Sequence, residues 1–409
     1  MTAIHSFVIL YKNFLRHYAW DVIILSTFIA ALLVSSISNY TLISFIIKFV
    51  ITIILLQLIY FDIRKSSSGF SDLIKSPDIN NFYLLLIILI LVPSISLFYS
   101  FNPYFGSLKI LSLIISTIPL IIIFRYFLIT RTAKRISVFI TLLSIFVFFG
   151  TIITILFPFN YLAGQSTLFG NWSHVIYGRF IGSALIILLS IQLLGKGKNI
   201  YALAAISGLA LASTIQSGLR AAVIGISITI PILIIHTIVK GKFTIQKKIS
   251  LFMTILLVTF ILLSIPNNFR TQQRYLVFSN PNLEIFKSDS SINPRITAYN
   301  YCIESIKEFA LCGVGFGGFF STEIGKDIAW MKYPHNIFLE IATELGVIAL
   351  AGSFVLLFYV FKRAIALNFS LFLYLIFVLI QALFSKDLPS QTMLLISFAL
   401  VGLKKTSAT

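Results

Sequence analysis

Apolar residues fill long uninterrupted stretches along the whole chain, and short polar connections separate them. A stretch of about 20 apolar residues, wound as a helix, crosses a hydrocarbon core of about 30 Å. The stretches lack the alternation of a barrel strand, so membrane-spanning helices are favoured. The pattern predicts about twelve spans. They lie at roughly 20–38, 41–61, 82–99, 109–128, 136–158, 178–194, 200–217, 219–239, 249–265, 336–361, 367–384 and 390–403.

One connection is far longer than the others. Residues 266–335 form a loop of globular composition inside a single integral membrane domain, with nine spans in 1–265 and three in 336–409. Long loops in compact proteins are commonly functional. A helix is predicted to begin at Asn293-Pro294, and the glycine-rich "GVGFGGF" ends it. At the other end of the chain, 20–38 is longer than the apolar core of a signal peptide, which favours an uncleaved first span.

Basic residues divide unequally between the two sets of connections. Eighteen lysines and arginines lie in alternate connections and the termini, whereas the opposite short connections carry four. The positive-inside rule therefore predicts that both termini are cytoplasmic and that the long loop is extracytoplasmic. The net charge of +18 belongs to these loops and does not indicate a nucleic-acid partner. Cys302 and Cys312 form no metal pattern, and nothing requires them to pair.

A few arginines lie on the extracytoplasmic side, against this bias. Arg179 and Arg220 begin spans, and Arg270, Arg274 and Arg295 lie in the long loop. Guanidinium groups bind phosphate through a planar fork. The competing interpretations are snorkelling for Arg220, interface anchoring for Arg270 and Arg274, and a solvated charge for Arg295. The pattern alone leaves Arg179 undecided.

The sequence "YPHNIFLEIATELG" opens the tenth span. Asn336 suits a helix N-cap, and His335 is either an interfacial histidine or a general base, since imidazole titrates near neutral pH. Glu340 and Glu344 share a helix face. A span of this length can project its first turns above the lipid, so Glu340 need not lie in the membrane. Alternatively Glu340 forms a salt bridge, and Glu344 is interpreted as a buried structural partner.

The glycine-rich segment and the rarer polar residues narrow the chemistry. "GVGFGGF" lacks the lysine of a nucleotide-binding loop, so it indicates a tight backbone passage, with Gly315 lining the site. No Asp-x-Asp and no His/Cys cluster occurs, which disfavours a metal-dependent enzyme and predicts no metal and no cofactor. Lys48, within the second span, either lines a cavity or snorkels.

The ordered motifs resemble the O-antigen ligase and O-antigen polymerase superfamily of bacterial inner membranes. The resemblance rests on "STIQSGLRAA", on "NPRITAYNYCIESIKEFALCGVGFGGF" and on "PHNIFLEIATELG", and covers about residues 213–346. Near Arg179, "RFIGSALIILL" keeps only the arginine and Gly182 of the family pattern. The resemblance implies an all-α, GT-C-like membrane protein and an enzyme that transfers glycans at the periplasmic face.

By the same resemblance, the donor is a glycan on undecaprenyl diphosphate, and transfer inverts the anomeric carbon without a metal. Arg220 and Arg295 hold the diphosphate, and His335 takes the proton of the acceptor hydroxyl. Arg179, Arg270, Arg274, Glu340 and Gly315 are the expected substrate-binding residues. The Ile-, Phe- and Lys-rich, Ala-poor composition indicates an AT-rich gene, as is common in O-antigen clusters, which favours an O-antigen polymerase over a ligase that transfers to lipid A-core.

Membrane lipid, an acceptor glycolipid and a chain-length regulator protein are the expected partners of such an enzyme. The alternative from another class is a lipid-linked oligosaccharide flippase. It is disfavoured because the chain shows few charges at mid-membrane and no repeated halves.

Overall fold

The computed structural model of the protein describes residues 20–34, 42–65, 79–130, 133–156, 174–195, 199–241, 243–264, 292–321, 332–384 and 387–401. Within these residues every regular element is helical. The α-helices are α1 Trp20–Val34, α2 Leu42–Lys65, α3 Ile79–Ser96, α4 Pro103–Ser112, α5 Ile118–Ile129, α6 Ala133–Leu156, α7 His174–Leu194, α8 Ile200–Gln216, α9 Arg220–Val239, α10 Ile245–Ser264, α11 Asn293–Glu308, α12 Ile337–Leu367, α13 Phe369–Ala382 and α14 Thr392–Leu395.

The helices confirm an all-α polytopic membrane protein. Eight of the described helical segments are long and apolar enough to cross a membrane, and α1, α8 and α13 are shorter apolar helices. One of the eight combines α4, a π-helical turn at Leu113–Thr117 and α5. Large apolar side chains such as Val355 and Phe358 are exposed, as expected for helices that face lipid.

The twelfth predicted span, 390–403, is not a membrane-length helix. The segment contains the four-residue α14 and short 3-10 turns at Leu388–Ser390 and Ile396–Leu400. It is buried throughout 387–401 and runs beside α5. Arg125 Nη1 donates to the carbonyl oxygens of Ala399 and Val401. Irregular backbone is tolerated at membrane depth when protein groups satisfy it in this way.

Helix α7 lies at the centre of the bundle, since 83% of an 18-residue apolar stretch of it is buried. Small residues bring the short helix α13 close to it. An added Cβ at Gly182 would lie 2.4 Å from the ring of Phe377, and one at Gly225 of α9 would lie 2.8 Å from the same ring. The Gly182 that the family pattern retains therefore serves packing between α7 and α13.

Two buried ion clusters tie helix ends together at opposite ends of the bundle. Near the start of α1, the end of α2 and the start of α6, the guanidinium of Arg135 pairs with Asp21 and Asp62. Near the starts of α4 and α12, Lys109 Nζ lies 2.6 Å from a carboxylate oxygen of both Glu340 and Glu344. These pairings agree with the prediction that successive helices cross the membrane in opposite directions. Which end faces the cytoplasm remains a prediction.

Helix α12 contains a sharp break where the sequence predicts one continuous span. Gly346 has φ 82° and ψ 173°, a conformation that essentially only glycine adopts. An added Cβ there would lie 2.0 Å from the carbonyl oxygen of Leu311, because the loop backbone passes directly over the break. Before Gly346 the helix is largely buried, and after it large apolar side chains are exposed. Glu340 therefore lies in a short helical segment buried within the protein, and its depth relative to the lipid stays a prediction.

The loop helix predicted at Asn293-Pro294 is confirmed as α11, and the glycine-rich segment after it is a tight backbone passage. Val314 N donates to Thr343 O at 2.8 Å, and Phe316 N donates to Ser96 Oγ at 3.0 Å. Gly315 has φ 80°, and an added Cβ would lie 2.2 Å from Ser100 Cα. These contacts fasten the loop to the α3–α4 connection. The amides of Val314 and Phe316 are used within the protein.

Candidate functional site

The starts of α7 and α9 pack together at one end of the bundle, as do those of α11 and α12. Arg179 in α7 interacts electrostatically with Tyr333, which connects the two pairs around residues 333–336. We call this region the mouth. Among the residues that the structure describes, His335 is the one non-glycine residue with a positive φ, at 60°. Such a conformation costs of order 1–3 kcal/mol and is concentrated at functional sites. The ring of His335 lies 4.6 Å from that of Tyr333, centroid to centroid.

Asn336 fixes the position of His335 by starting α12. Its Oδ1 accepts hydrogen bonds from the amides of Phe338 at 3.0 Å and Leu339 at 3.2 Å, as predicted for an N-cap. The side chain of Asn336 also shares a hydrogen bond with Tyr299 of α11. The loop helix is thus anchored to the residue that follows His335.

Arg295 lies one turn before Tyr299 and interacts with it electrostatically. Burial raises the pKa of the Tyr299 hydroxyl, while the Arg295 charge and the hydrogen bond with Asn336 oppose that rise. Tyr299 is therefore the neutral neighbour of a half-buried guanidinium at the mouth. This arrangement brings Arg295 to the same side of the bundle as His335.

Arg179 is the most deeply placed of the predicted site residues, with 4% of its surface exposed. Its Nη2 donates to Oε1 of Gln391, and it lies close enough to Tyr333 and Tyr374 to interact electrostatically. Its Nη1 has no hydrogen-bond partner, and no carboxylate pairs with it, among the described residues. A buried cation without a counter-charge is costly, so this position favours an anion.

Arg220 is the first residue of α9 and lies next to the start of α7. An added Cβ at Gly178 would lie 2.5 Å from Ser217 Oγ and 3.0 Å from Leu219 Cβ. The backbone before Arg220 is therefore packed against the turn that carries Arg179. Gly218, with φ 64°, makes the tight turn that reverses the chain between α8 and α9.

The contacts described so far at the mouth do not include the remaining predicted site residues. Glu340 is buried in the ion cluster with Lys109, and Gly315 is packed against Ser100, so contact of either with substrate stays a prediction. Arg270 and Arg274 lie outside the described residues. Shared neighbours connect Arg179 with the turn before Arg220 and with Tyr333, and connect Arg295 with Asn336 next to His335. That these four residues form one site stays a prediction.

Sequence reasoning missed Tyr333 and Gln391. Gln391 belongs to the stretch that was interpreted as a lipid-facing span. The polar run "DLPSQT" at its start was the available signal, because such residues are expensive against lipid. Lys48 also has a defined place, with its side chain buried and Nζ donating to Ser112 Oγ at 3.2 Å.

An apolar cavity of about 330 Å³ opens between α1, α5, α6, α7, α13 and the C-terminal segment. Ser183, Tyr374 and Met393 line one part of it, and Arg135 lines another. Ser183 lies one turn after Arg179 and donates to its carbonyl oxygen at 2.8 Å. The cavity thus begins one helical turn from Arg179 and reaches Arg135 near the other end of the bundle.

The fold defines a polytopic membrane protein, and arginine side chains gather toward one end of it. Comparison with known families agrees with the motifs. Residues 202–353 match the family model described as O-antigen ligase, which supports the O-antigen ligase and polymerase superfamily for this chain. The matched segment contains Arg220, Arg295 and His335, but not Arg179. A search of curated proteins found no significant match. The family implies a glycosyltransferase-like enzyme of lipopolysaccharide biosynthesis.

Proposed function

We propose that this protein is an O-antigen polymerase, which joins repeat units carried on undecaprenyl diphosphate at the periplasmic face of the bacterial inner membrane. The observation that carries the proposal is the line of three arginines and one strained histidine at the mouth. Two of these arginines and the histidine belong to the segment that matches the O-antigen ligase family.

The diphosphate of the donor is the natural ligand of the arginines. As the bond between the anomeric carbon and the diphosphate oxygen breaks, negative charge develops on the leaving group. Fixed cations in a site shielded from water stabilise that charge more strongly than water does. Arg179 suits this role because its guanidinium is buried and has no carboxylate partner among the described residues. Arg220 and Arg295 would supply further positive charge at the mouth.

His335 would act as the general base. Its imidazole takes the proton of the acceptor hydroxyl while the hydroxyl oxygen bonds to the anomeric carbon, on the side opposite the departing diphosphate. A single displacement of this kind inverts the configuration. It requires a base that is held in place, and Pro334, Tyr333 and Asn336 surround His335 for that purpose.

The cavity beside α7 suits the hydrocarbon part of the donor. It is lined by apolar side chains and lies one turn from Arg179. A prenyl chain in this cavity would place its diphosphate at the depth of the guanidinium. Apolar pockets with a few polar groups at one end are typical of lipid-like ligands.

An O-antigen ligase, which transfers the glycan to lipid A-core, is the second candidate. The description of the matching family favours it. Polymerase and ligase share the donor, the leaving group and the base, and they differ in the acceptor alone. The same residues therefore serve both candidates.

Complementation of a strain that lacks the gene tests the proposal. We expect His335→Ala and Arg220→Ala to reach the membrane at normal levels and to restore no long lipopolysaccharide ladder. Core carrying one repeat unit as the residual band indicates a polymerase, and bare core indicates a ligase. A full ladder from both variants would overturn the glycosyltransferase assignment and favour a flippase.

A further inference from the structure

The buried carboxylate of Glu340 connects two parts of the mouth that are far apart in the sequence. We propose that Glu340 is a positioning residue, which holds the C-terminal segment bearing Gln391 against the short helix that follows His335. Glu340 would thereby fix the position of Arg179 relative to His335. The catalytic consequence of this link rests on the proposed function, whereas the link itself does not.

Two glutamates contact the same lysine, but only one of them reaches the C-terminal segment. Lys109 Nζ lies 2.6 Å from Glu340 Oε1 and 2.6 Å from Glu344 Oε2, and the three side chains are at most 1% exposed. Leu388 N donates to Glu340 at 3.1 Å from Oε1 and 2.9 Å from Oε2. Oε1 of Glu344 has no hydrogen-bond partner among the described residues.

On one side of Glu340 the link continues to Arg179. Leu388 and Gln391 belong to the same tight turn, in which Gln391 N donates to Leu388 O at 3.1 Å. The side chain of Gln391 then accepts a hydrogen bond from Arg179. The carboxylate therefore fixes the turn that presents Gln391 to the buried guanidinium.

On the other side the link continues to His335. Glu340 N donates to the carbonyl oxygen of Asn336 at 2.9 Å, in the first turn of α12. Asn336 caps this turn and directly follows His335. One carboxylate thus lies between the residue that holds Arg179 and the residue that begins the helix of the general base.

The chemistry of the site requires a carboxylate at 340 but not at 344. Both oxygens of Glu340 accept hydrogen bonds, so the amide nitrogen of a glutamine would face a donor whichever way it turned. At 344 the amide oxygen can face Lys109, while the amide nitrogen takes the place of Oε1. Glu340→Gln and Glu344→Gln therefore make the same change in charge beside the same lysine, and only the first weakens the link to Leu388, by removing the nearer of its two acceptor oxygens.

Hydrogen exchange of the Leu388 amide, measured by mass spectrometry on the full-length protein in nanodiscs, tests the link without reference to activity. We expect Glu340→Gln to exchange faster by on the order of tenfold, and Glu344→Gln to exchange like the wild type. Equal exchange in the two variants would overturn the proposal. Faster exchange in Glu340→Gln, together with a wild-type protein that transfers no glycan, would support the link and overturn the proposed function.

A double-mutant cycle tests whether Glu340 acts through Gln391. We expect Glu340→Gln to lower the turnover number by about tenfold, and Gln391→Ala to add little further loss in that background. The same Gln391→Ala change should cause its full loss in Glu344→Gln. Additive losses in both backgrounds would overturn the positioning role.

Leu388→Pro removes the donor, and its Cδ takes the place of the amide hydrogen, so the Glu340 carboxylate is also displaced although both glutamates keep their charge. Proline suits this position, because Leu388 begins a 3-10 turn and the preceding Asp387 is extended, with ψ 169°. We expect this variant to reproduce the loss of turnover seen in Glu340→Gln. Wild-type turnover in a normally inserted Leu388→Pro protein would contradict the proposal.

Discussion

Two clusters of buried charge at opposite ends of the bundle are built differently. In the Arg135 cluster, which comprises Trp20, Asp21, Asp62, Tyr126 and Arg135, one guanidinium meets two carboxylates. Arg135 Nε lies 3.1 Å from Asp21 Oδ1, and its other end pairs with Asp62. Asp62 also accepts hydrogen bonds from Tyr126 and Trp20.

At the mouth, the guanidinium of Arg179 meets an amide oxygen and two tyrosines instead. No carboxylate pairs with Arg179 among the described residues, although Lys109 nearby in the fold pairs with two. Removing a cation that carboxylates neutralise leaves those carboxylates uncompensated, whereas a buried cation without a counter-charge favours an anionic ligand. The contrast separates structural charges from the charges proposed to bind substrate.

The largest expected effect is on catalysis at the mouth. His335→Ala removes the proposed base and should lower the rate of glycan transfer by about 10²–10⁴. Transfer from a lipid-linked donor is measured with purified protein in nanodiscs. His236→Ala is the matched control, because His236 stacks on Phe369 at the opposite end of the bundle, 3.6 Å between centroids. Equal rates for the two variants would mean that the mouth is not the active site.

The same substitution at the two arginines should have opposite consequences. Arg135→Gln leaves Asp21 and Asp62 without a cation and should destabilise the protein by about 3–5 kcal/mol, seen as a lower melting temperature. Arg179→Gln removes an un-neutralised buried charge. It should leave the melting temperature unchanged or raised and lower glycan transfer by about 10².

Two results would contradict the assignment of Arg135 to the fold and of Arg179 to substrate binding. A large fall in melting temperature for Arg179→Gln would assign Arg179 to the fold. Normal stability of Arg135→Gln would show that its carboxylates find other partners. Binding of inorganic diphosphate to each variant gives an independent reading, since only Arg179→Gln should weaken it.

The smallest expected effect concerns which end of the bundle faces outward. Cys312 is exposed near the mouth, whereas Cys302 is buried. Burial raises the pKa of the Cys302 thiol to about 12, so it stays protonated and unreactive through the neutral pH range. A membrane-impermeant maleimide should label Cys312 alone in spheroplasts. Labelling of Cys312 only after lysis would reverse the predicted topology.

The sequence predicted helices best where an apolar stretch was long and faced lipid. For example, the ninth predicted span, 249–265, matches α10, Ile245–Ser264, to within a few residues at either end, because length and hydrophobicity are local properties. The prediction failed at 390–403, where apolar residues are buried among other helices instead of facing lipid. There Arg125 satisfies carbonyl groups that a regular helix would have satisfied itself.

Residue order alone determined the membrane class, the positions of most helices, the Asn336 cap of α12 and the candidate charges at the mouth. Only the tertiary structure decided which charges are neutralised. Lys109 and Glu340 are 231 residues apart, and Arg179 and Gln391 are 212 apart. Whether a buried charge has a carboxylate partner depends on such distant pairs. The hydropathy of a segment depends on residues that are adjacent in the chain. Whether a buried charge is neutralised depends on residues that are adjacent only in the folded structure.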